Sequence, residues 1–332
     1  MRKVGRVKSI AFHPLTPSHT PSLTCVRRGG IRAIFFNHQP FMKKINWLLL
    51  FAGISLAACG RFANEDAKQD HQERIVCIAK QYSEIIYALG AEQDLVGVDV
   101  SSTYPPEIKS LPTVGYHRAL SAEGILATRP TLILHDNNIG PEHVIKQLQD
   151  LRIPMKDFIK AEDLDSTRLL IREMGAYFHK EPQADSLCNK LDRDMADALE
   201  KARQYPDTVK VLVIHFGQAS NVFLVMTAHS TAAKMIGWAG GKMAVQGDRG
   251  MRQLSAEVVA ASDPDVILLT DFGYDRLGTP EKIKELPGVA GTTAAKNNRI
   301  YRVEEHDLVY LGPRTGENVL MLQKLIHGDA VQ

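Results

Sequence analysis

Tyr116 stands between Gly115 and the pair His117-Arg118. A phenolate is a hard, anionic oxygen donor, and as such it suits Fe(III). The phenol's ordinary pKa, near 10, has to fall for that chemistry to run at neutral pH. Arg118, His117 or an arginine from a facing loop can supply the charge that lowers it. The alternative for the same residue is plain packing within its loop.

The stretch continues as Leu120-Ser121-Ala122-Glu123, and it returns as Leu254-Ser255-Ala256-Glu257. Residues 116–136 and 250–270 share nine identities in 21 positions, spread through a loop, a serine-capped helix and, after Pro130 and Pro264, a short apolar strand. Two similar α/β lobes follow from that repeat. In the second copy Gly250 stands where Tyr116 stands in the first. Arg249 and Arg252 occupy the loop there, and they face Tyr116 across a cleft if the pseudo-symmetry holds.

The elements that must position these residues can be read in order. Residues 74–79 read as a buried strand, Ser83 to Gly90 as a helix with a serine start and glycine stop, and 95–100 as a second strand. A loop with Pro105-Pro106 leads to Gly115-Tyr116, Ser121 caps a helix through Ala127, and the strand 131–134 precedes a helix opened by Pro141-Glu142. This alternation is the mark of a parallel sheet, whose ligands bind at the carboxyl ends of the strands. From Asp163 to Gln204 the pattern is helical almost without break, the length of a strut between lobes. The second lobe restarts at Val211, with a helix capped by Ser230-Thr231, strands at 265–270 and 300–303, a helix from Pro280-Glu281 and a last helix from Pro313 to His327.

The amino-terminal region reads differently. Met42-Lys43-Lys44, a short apolar run and Leu56-Ala57-Ala58-Cys59 make a bacterial lipoprotein signal, with cleavage before Cys59 and lipid on its thiol. The apolar run of roughly 12 residues falls short of the ~20 a membrane span needs. The expected organisation is therefore an upstream extension over 1–41, a signal over 42–58, a flexible tether over 59–73, an N-terminal lobe over 74–162, a connecting helical segment over 163–205 and a C-terminal lobe over 206–332. Without residues 1–58 the chain carries 31 basic and 38 acidic side chains, a net charge of −7 with histidines neutral. That balance offers no nucleic-acid surface. Cys77 and Cys188 lie in apolar patterns and read as buried free thiols, and no cysteine pair has metal-ligand spacing.

Taken together, the lipoprotein signal, the two lobes, the long connecting helix and the Gly-Tyr-x-Arg-x-Leu-Ser-Ala-Glu-Gly stretch resemble the substrate-binding lipoproteins of bacterial ABC importers for haem. These belong with the cobalamin and ferric-siderophore binders. The resemblance covers roughly residues 74–328. It implies a class III periplasmic-binding-protein-like fold, α/β, with two similar parallel-sheet lobes joined by one long rigid helix. It further implies that Tyr116 is an axial ligand of ferric haem, that Arg249 and Arg252 reach the phenolate or a propionate, and that His229 or His215 can approach the iron's open side. His117 is expected to support Tyr116 rather than to bind iron. The group docks through one surface glutamate on each lobe, which points to Glu142 and Glu281 as contacts for the permease of an importer that also has ATPase subunits. The implied protein is a monomer, lipid-anchored in the periplasm or cell envelope, and not an enzyme. The same fold could carry cobalamin or a ferric siderophore instead. A metal-chelatase-like enzyme would need clustered cysteines or histidines, or a phosphate-binding glycine loop, and the sequence has neither.

Overall fold

The computed structural model describes residues 73–205, 208–218 and 220–328. The expected signal, Cys59 and most of the tether lie outside the described residues. The N-terminal lobe opens with β1 (Ile75–Cys77), α1 (Lys80–Leu89) and β2 (Leu95–Val98). A small hairpin follows, β3 (Gly115–Tyr116) with β4 (Ala119–Leu120), then α2 (Ala122–Ala127), β5 (Leu132–Leu134), α3 (Glu142–Asp150) and β6 (Met155–Lys156). The strands run in the order β2-β1-β5-β6, all parallel.

Two helices connect the lobes, α4 (Leu164–Tyr177) and α5 (Glu181–Ala202). The segment expected to be helical almost without break is a helical hairpin. His179, in the left-handed region at φ 55°, turns the chain, and Pro182 sits in the first turn of α5, where its missing N–H costs nothing. Close approach holds the pair together. A Cβ on Gly175 would lie 2.4 Å from that of Ala184, and Arg172 Nε donates to Asp185 at 3.0 Å. At 22 residues α5 is the long element, about 33 Å from end to end.

The C-terminal lobe contains β7 (Val209–Gly217), β8 (Val222–Met226), α6 (Thr231–Trp238), β9 (Gly241–Met243), β10 (Met251–Gln253), α7 (Ala256–Ser262) and β11 (Val266–Thr270). It ends with α8 (Asp271–Leu277), α9 (Pro280–Lys284), α10 (Thr293–Lys296), β12 (Ile300–Val303), α11 (Glu305–Val309) and α12 (Thr315–His327). Strands β9, β7, β11 and β12 are parallel, and the lobe adds two antiparallel strands, β8 and β10, at one edge.

The largest apolar core does not respect the lobe division. It runs from Ile75 and Ile86 through Ile171, Leu191 and Met195 of the connecting hairpin to Val213 and Leu322. A separate core fills the far side of each sheet. Displacing one lobe against the other would open the shared core to water, at about 25 cal/mol per Å² of apolar surface exposed. This is the physical content of a rigid connection.

Three smaller expectations are corrected. Helix α1 begins at Lys80, ahead of Ser83, because the chain turns straight out of β1. Ser83 is buried inside the helix, 3.3 Å from Ala79 O and 3.2 Å from Ser102 Oγ. Strand β2 stops at Val98, so that Asp99 turns inward with no exposure at all. The two copies of the repeat also diverge. Ser121 and Ser255 both cap their helices as expected, but the preceding segment is a free-standing hairpin in the first lobe and the edge strand β10 in the second. Cys77 and Cys188 are free and buried.

Candidate functional site

The carboxyl ends of β1, β2, β7, β11 and β12 deliver a group of polar residues to the region between the lobes. Tyr116 is carried by the hairpin, which Gly115 starts at φ 104°, a conformation open to glycine and strained for other residues. Backbone bonds tie the hairpin down, from Val100 N to Gly115 O and from Gly140 N to His117 O, both at 2.9 Å. Tyr116 is half-buried, His117 buried and Arg118 exposed.

Behind Tyr116 lies a buried polar support. Asp99 accepts from Ser102 Oγ at 2.6 Å and from Ser101 N at 3.2 Å, also bonds Ser101 Oγ, and lies 3.3 Å from His117 Nδ1. Burial pushes the Asp99 carboxyl up, but the bonds with His117, Ser101 and Ser102 outweigh it and hold the pKa below its ordinary value. His117 is thereby fixed, with its ring tilted against that of Tyr116 at a centroid distance of 4.3 Å.

The charges around Tyr116 overturn one expectation. Its pKa is raised, first by burial and then by Glu305, with Arg118 lowering it and Asp99 adding a further rise. Protein groups alone therefore do not lower this phenol's pKa. Arg249 and Arg252 are not among the charges that act on it. Both are exposed, and with Thr227 they line a cavity of about 240 Å³. His229 is exposed beside them, its N–H donating to Thr227 Oγ1 at 3.2 Å, while Thr227 also bonds the carbonyls of Arg249 and Gly250. In this copy the repeat's loop is drawn into the sheet as β10, paired with β8, where the first copy forms a separate hairpin.

What the second lobe brings to Tyr116 is different. Lys80, in the first turn of α1, reaches across to Glu305 of α11 at 2.7 Å, and both are largely buried. His215 lies two residues before the end of β7, with Nδ1 3.2 Å from Thr270 Oγ1 and 3.8 Å from Glu305 Oε1. Burial pushes the His215 pKa down, and Lys80 adds to that against the pull of Glu305, so the imidazole is neutral at pH 7 and is a competent nitrogen donor. Burial raises the Glu305 carboxyl, but Lys80 and His215 outweigh it and keep it ionised. Phe216 and Phe223 pack at 5.1 Å with the Arg276 guanidinium 4.8 Å from the Phe216 ring, an apolar wall with one cation.

Glu142 and Glu281 are exposed, each in the first turn of its helix. No cluster of three or more metal-ligating side chains exists among the described residues. Sequence reading missed Asp99, Lys80, Glu305 and Tyr310. One signal could have found the first three, since each is an ionisable residue within three positions of the carboxyl end of a strand, where α/β sheets hold their ligands.

The family model described as "Periplasmic binding protein" matches residues 75–306. A solved structure of the periplasmic heme-binding protein RhuT from Roseiflexus sp. RS-1, in apo form, superposes with a TM-score of 0.71 at 34% identity, covering 77% of this chain and 98% of that one. An uncharacterised ABC transporter substrate-binding lipoprotein of Bacillus subtilis (strain 168) is 27% identical over 85% of this chain and 96% of its own length. A vitamin B12-binding protein of Pectobacterium carotovorum is 29% identical over 37% of this chain and 44% of its own.

Proposed function

Since this chain belongs to the periplasmic binding protein family, we propose that it captures ferric haem between its lobes through the phenolate of Tyr116 and hands it to a membrane permease. It is the substrate-binding component of an ABC importer in the group that serves haem, vitamin B12 and siderophores, and such components work with permease and ATPase subunits. The family is one of binding proteins rather than enzymes.

One observation carries the haem reading. Tyr116 is a half-buried phenol on a hairpin clear of the main sheets, with an anchored histidine ring packed behind it. A siderophore brings its iron already saturated and needs no such donor. Ferric iron supplies the positive charge that the protein withholds from Tyr116, so binding expels the phenolic proton. Arg118 is the candidate for a propionate. His215 suits a second axial position better than His229, because Thr270 holds its Nδ1 and no partner engages Nε2 among the described residues. Glu142 and Glu281 dock with the permease, and lipid on Cys59 keeps the protein at the membrane.

Titration of the purified protein with hemin tests this. The expected product is a high-spin ferric tyrosinate spectrum, lost in Tyr116→Phe, with His215→Ala altering the spectrum and His229→Ala leaving it unchanged. The vitamin B12-binding relative supports a second reading, cobalamin as cargo. Binding of cobalamin with no spectral response to hemin would establish that reading and sink the first.

A further inference from the structure

The loop that follows β2, residues 99–105, touches the mount of Tyr116 at one end and the second lobe at the other. At the first end Asp99 lies 3.3 Å from His117 Nδ1, Ser101 Oγ lies 3.4 Å from the same nitrogen, and Val100 N–H donates to Gly115 O at 2.9 Å. The hairpin is therefore bonded to this loop on both sides of Tyr116. At the other end the exposed ring of Tyr104 lies under the guanidinium of Arg314, 3.5 Å from the ring centroid. Arg314 belongs to the second lobe. It is itself fixed by Glu84 of α1, through Nε at 3.0 Å and Nη2 at 3.2 Å. The neighbouring Ser83 reaches the middle of the loop, 3.2 Å from Ser102 Oγ, and Ser102 donates to Asp99 at 2.6 Å. Tyr104 and Arg314 also share a cavity of about 320 Å³ with Tyr87 of α1 and Leu187 of α5. Both lobes and the connecting hairpin meet there, and the ring of Tyr104 has room to move once its cation is gone.

We propose that Tyr104 is a positioning residue for Tyr116: the clasp of Arg314 on its ring ties the 99–105 loop, and through it the Tyr116 hairpin, to the second lobe. The inference rests on the haem reading and deepens it, by giving a route from lobe movement to release of the cargo. While the lobes are joined, the clasp holds the loop, His117 and the hairpin in one arrangement, so the donor is already ordered when its ligand arrives. When a permease draws the lobes apart, Arg314 leaves with the second lobe and the loop gains the freedom of the cavity beside it. The bonds at Asp99, Val100 and Ser101 carry that loosening to the hairpin. Coupling between two such events is reciprocal. Cargo held on Tyr116 tightens the clasp in turn, so that the loaded protein presents joined lobes to the permease.

The test measures hemin transfer to apomyoglobin from the loaded protein, comparing wild type with Tyr104→Leu, Tyr104→Phe, Arg314→Gln and the double variant Tyr104→Leu/Arg314→Gln. Tyr104→Leu should release hemin about fivefold faster, the worth of one cation–π contact near the surface. Tyr104→Phe keeps the ring face and should match wild type. The double variant should be no faster than Arg314→Gln alone, since both changes break one link. Should Arg314→Gln not fold, the two variants of the exposed Tyr104 still decide. Release at the wild-type rate from Tyr104→Leu, with or without a loss of thermal stability, overturns the proposal and leaves the ring a surface contact. Additive effects in the double variant overturn it too, because Tyr104 then acts within its own lobe, as does equal acceleration by Leu and Phe, which assigns the effect to the hydroxyl. Absence of the tyrosinate spectrum from hemin-treated wild type overturns the haem reading and this inference with it.

Discussion

Glu84 is the carboxylate on which the two lobes meet. It lies on α1 at 5% exposure, and both its oxygens face the other lobe. Arg314 donates to them through Nε at 3.0 Å and Nη2 at 3.2 Å, and His306 Nε2 bonds Oε2. Glu84→Gln keeps the shape and removes the charge. Arg314 then keeps Asp307, at 2.7 Å, Asn318 Oδ1, at 3.4 Å, and the face of Tyr104, 3.5 Å from the ring centroid. His306 is left worse off, because its Nδ1 is already buried with no partner among the described residues. Removing one member of a buried ion pair costs about 3–5 kcal/mol. For a folded unit of this size that corresponds to a fall in Tm of about 6–20 °C. The sign of the pH dependence follows from the carboxyl. Burial pushes its pKa up, but His306 and Arg314 outweigh burial and hold it below the ordinary 4.5. A carboxyl depressed on folding contributes its full stability above its unfolded pKa and loses it as pH falls through the folded one. Urea unfolding of wild type should therefore weaken progressively below pH 4.5, and the gap to Glu84→Gln should narrow over the same range. Calorimetry near neutral pH should show the variant's single transition broadened or split as the lobes uncouple. A variant within about 1 kcal/mol of wild type, the worth of an exposed pair, with an acid limb parallel to it, would refute the reasoning.

Two further outcomes follow. At Gly316 of α12 a Cβ would lie 2.5–2.7 Å from Asp194 and the backbone of Met195 in α5, so Gly316→Ala should force the helices apart and cost about 1–3 kcal/mol in urea unfolding, while Gly291→Ala, where nothing lies within 4 Å, should be close to neutral. Reversing the exposed charges of Glu142 and Glu281 together should cut haem uptake in cells while leaving hemin binding by the purified protein intact; unchanged uptake would remove both from the docking surface.

The parts of the fold that were legible in the sequence are those fixed by local chemistry. Ser121, Ser230 and Ser255 cap the helices expected of them, Gly90 stops α1 in the left-handed region, and the apolar runs at 75–77, 132–134 and 266–270 are buried strands. Less legible were the features decided by tertiary contact. The break at His179 uses neither glycine nor proline at the turn, and Pro182 was the single hint of a new helix start. Tyr116, His117 and His215 were named as candidates because strand ends and the repeat pointed to them. Glu305 and Tyr310 were not, because their meaning depends on Lys80, more than 200 residues away in sequence, reaching them across the lobe boundary. The two copies of the repeat part in their pairing, since similar residues form a hairpin in one lobe and an edge strand in the other.

That asymmetry has an evolutionary consequence. In the second copy Met251, Arg252 and Gln253 are paired with β8 at the edge of the sheet, so a change of backbone there costs ladder bonds. In the first copy Gly115 and Tyr116 pair with Ala119 and Leu120, a two-rung hairpin fastened to the lobe through Val100 and Gly140, whose side chains can be exchanged without breaking the ladder of the four strands behind it. After the duplication, one loop was conscripted into the architecture and its twin was left at liberty. A lineage that needed a new cargo would find its raw material at residues 115–120, and the scaffold would not register the change.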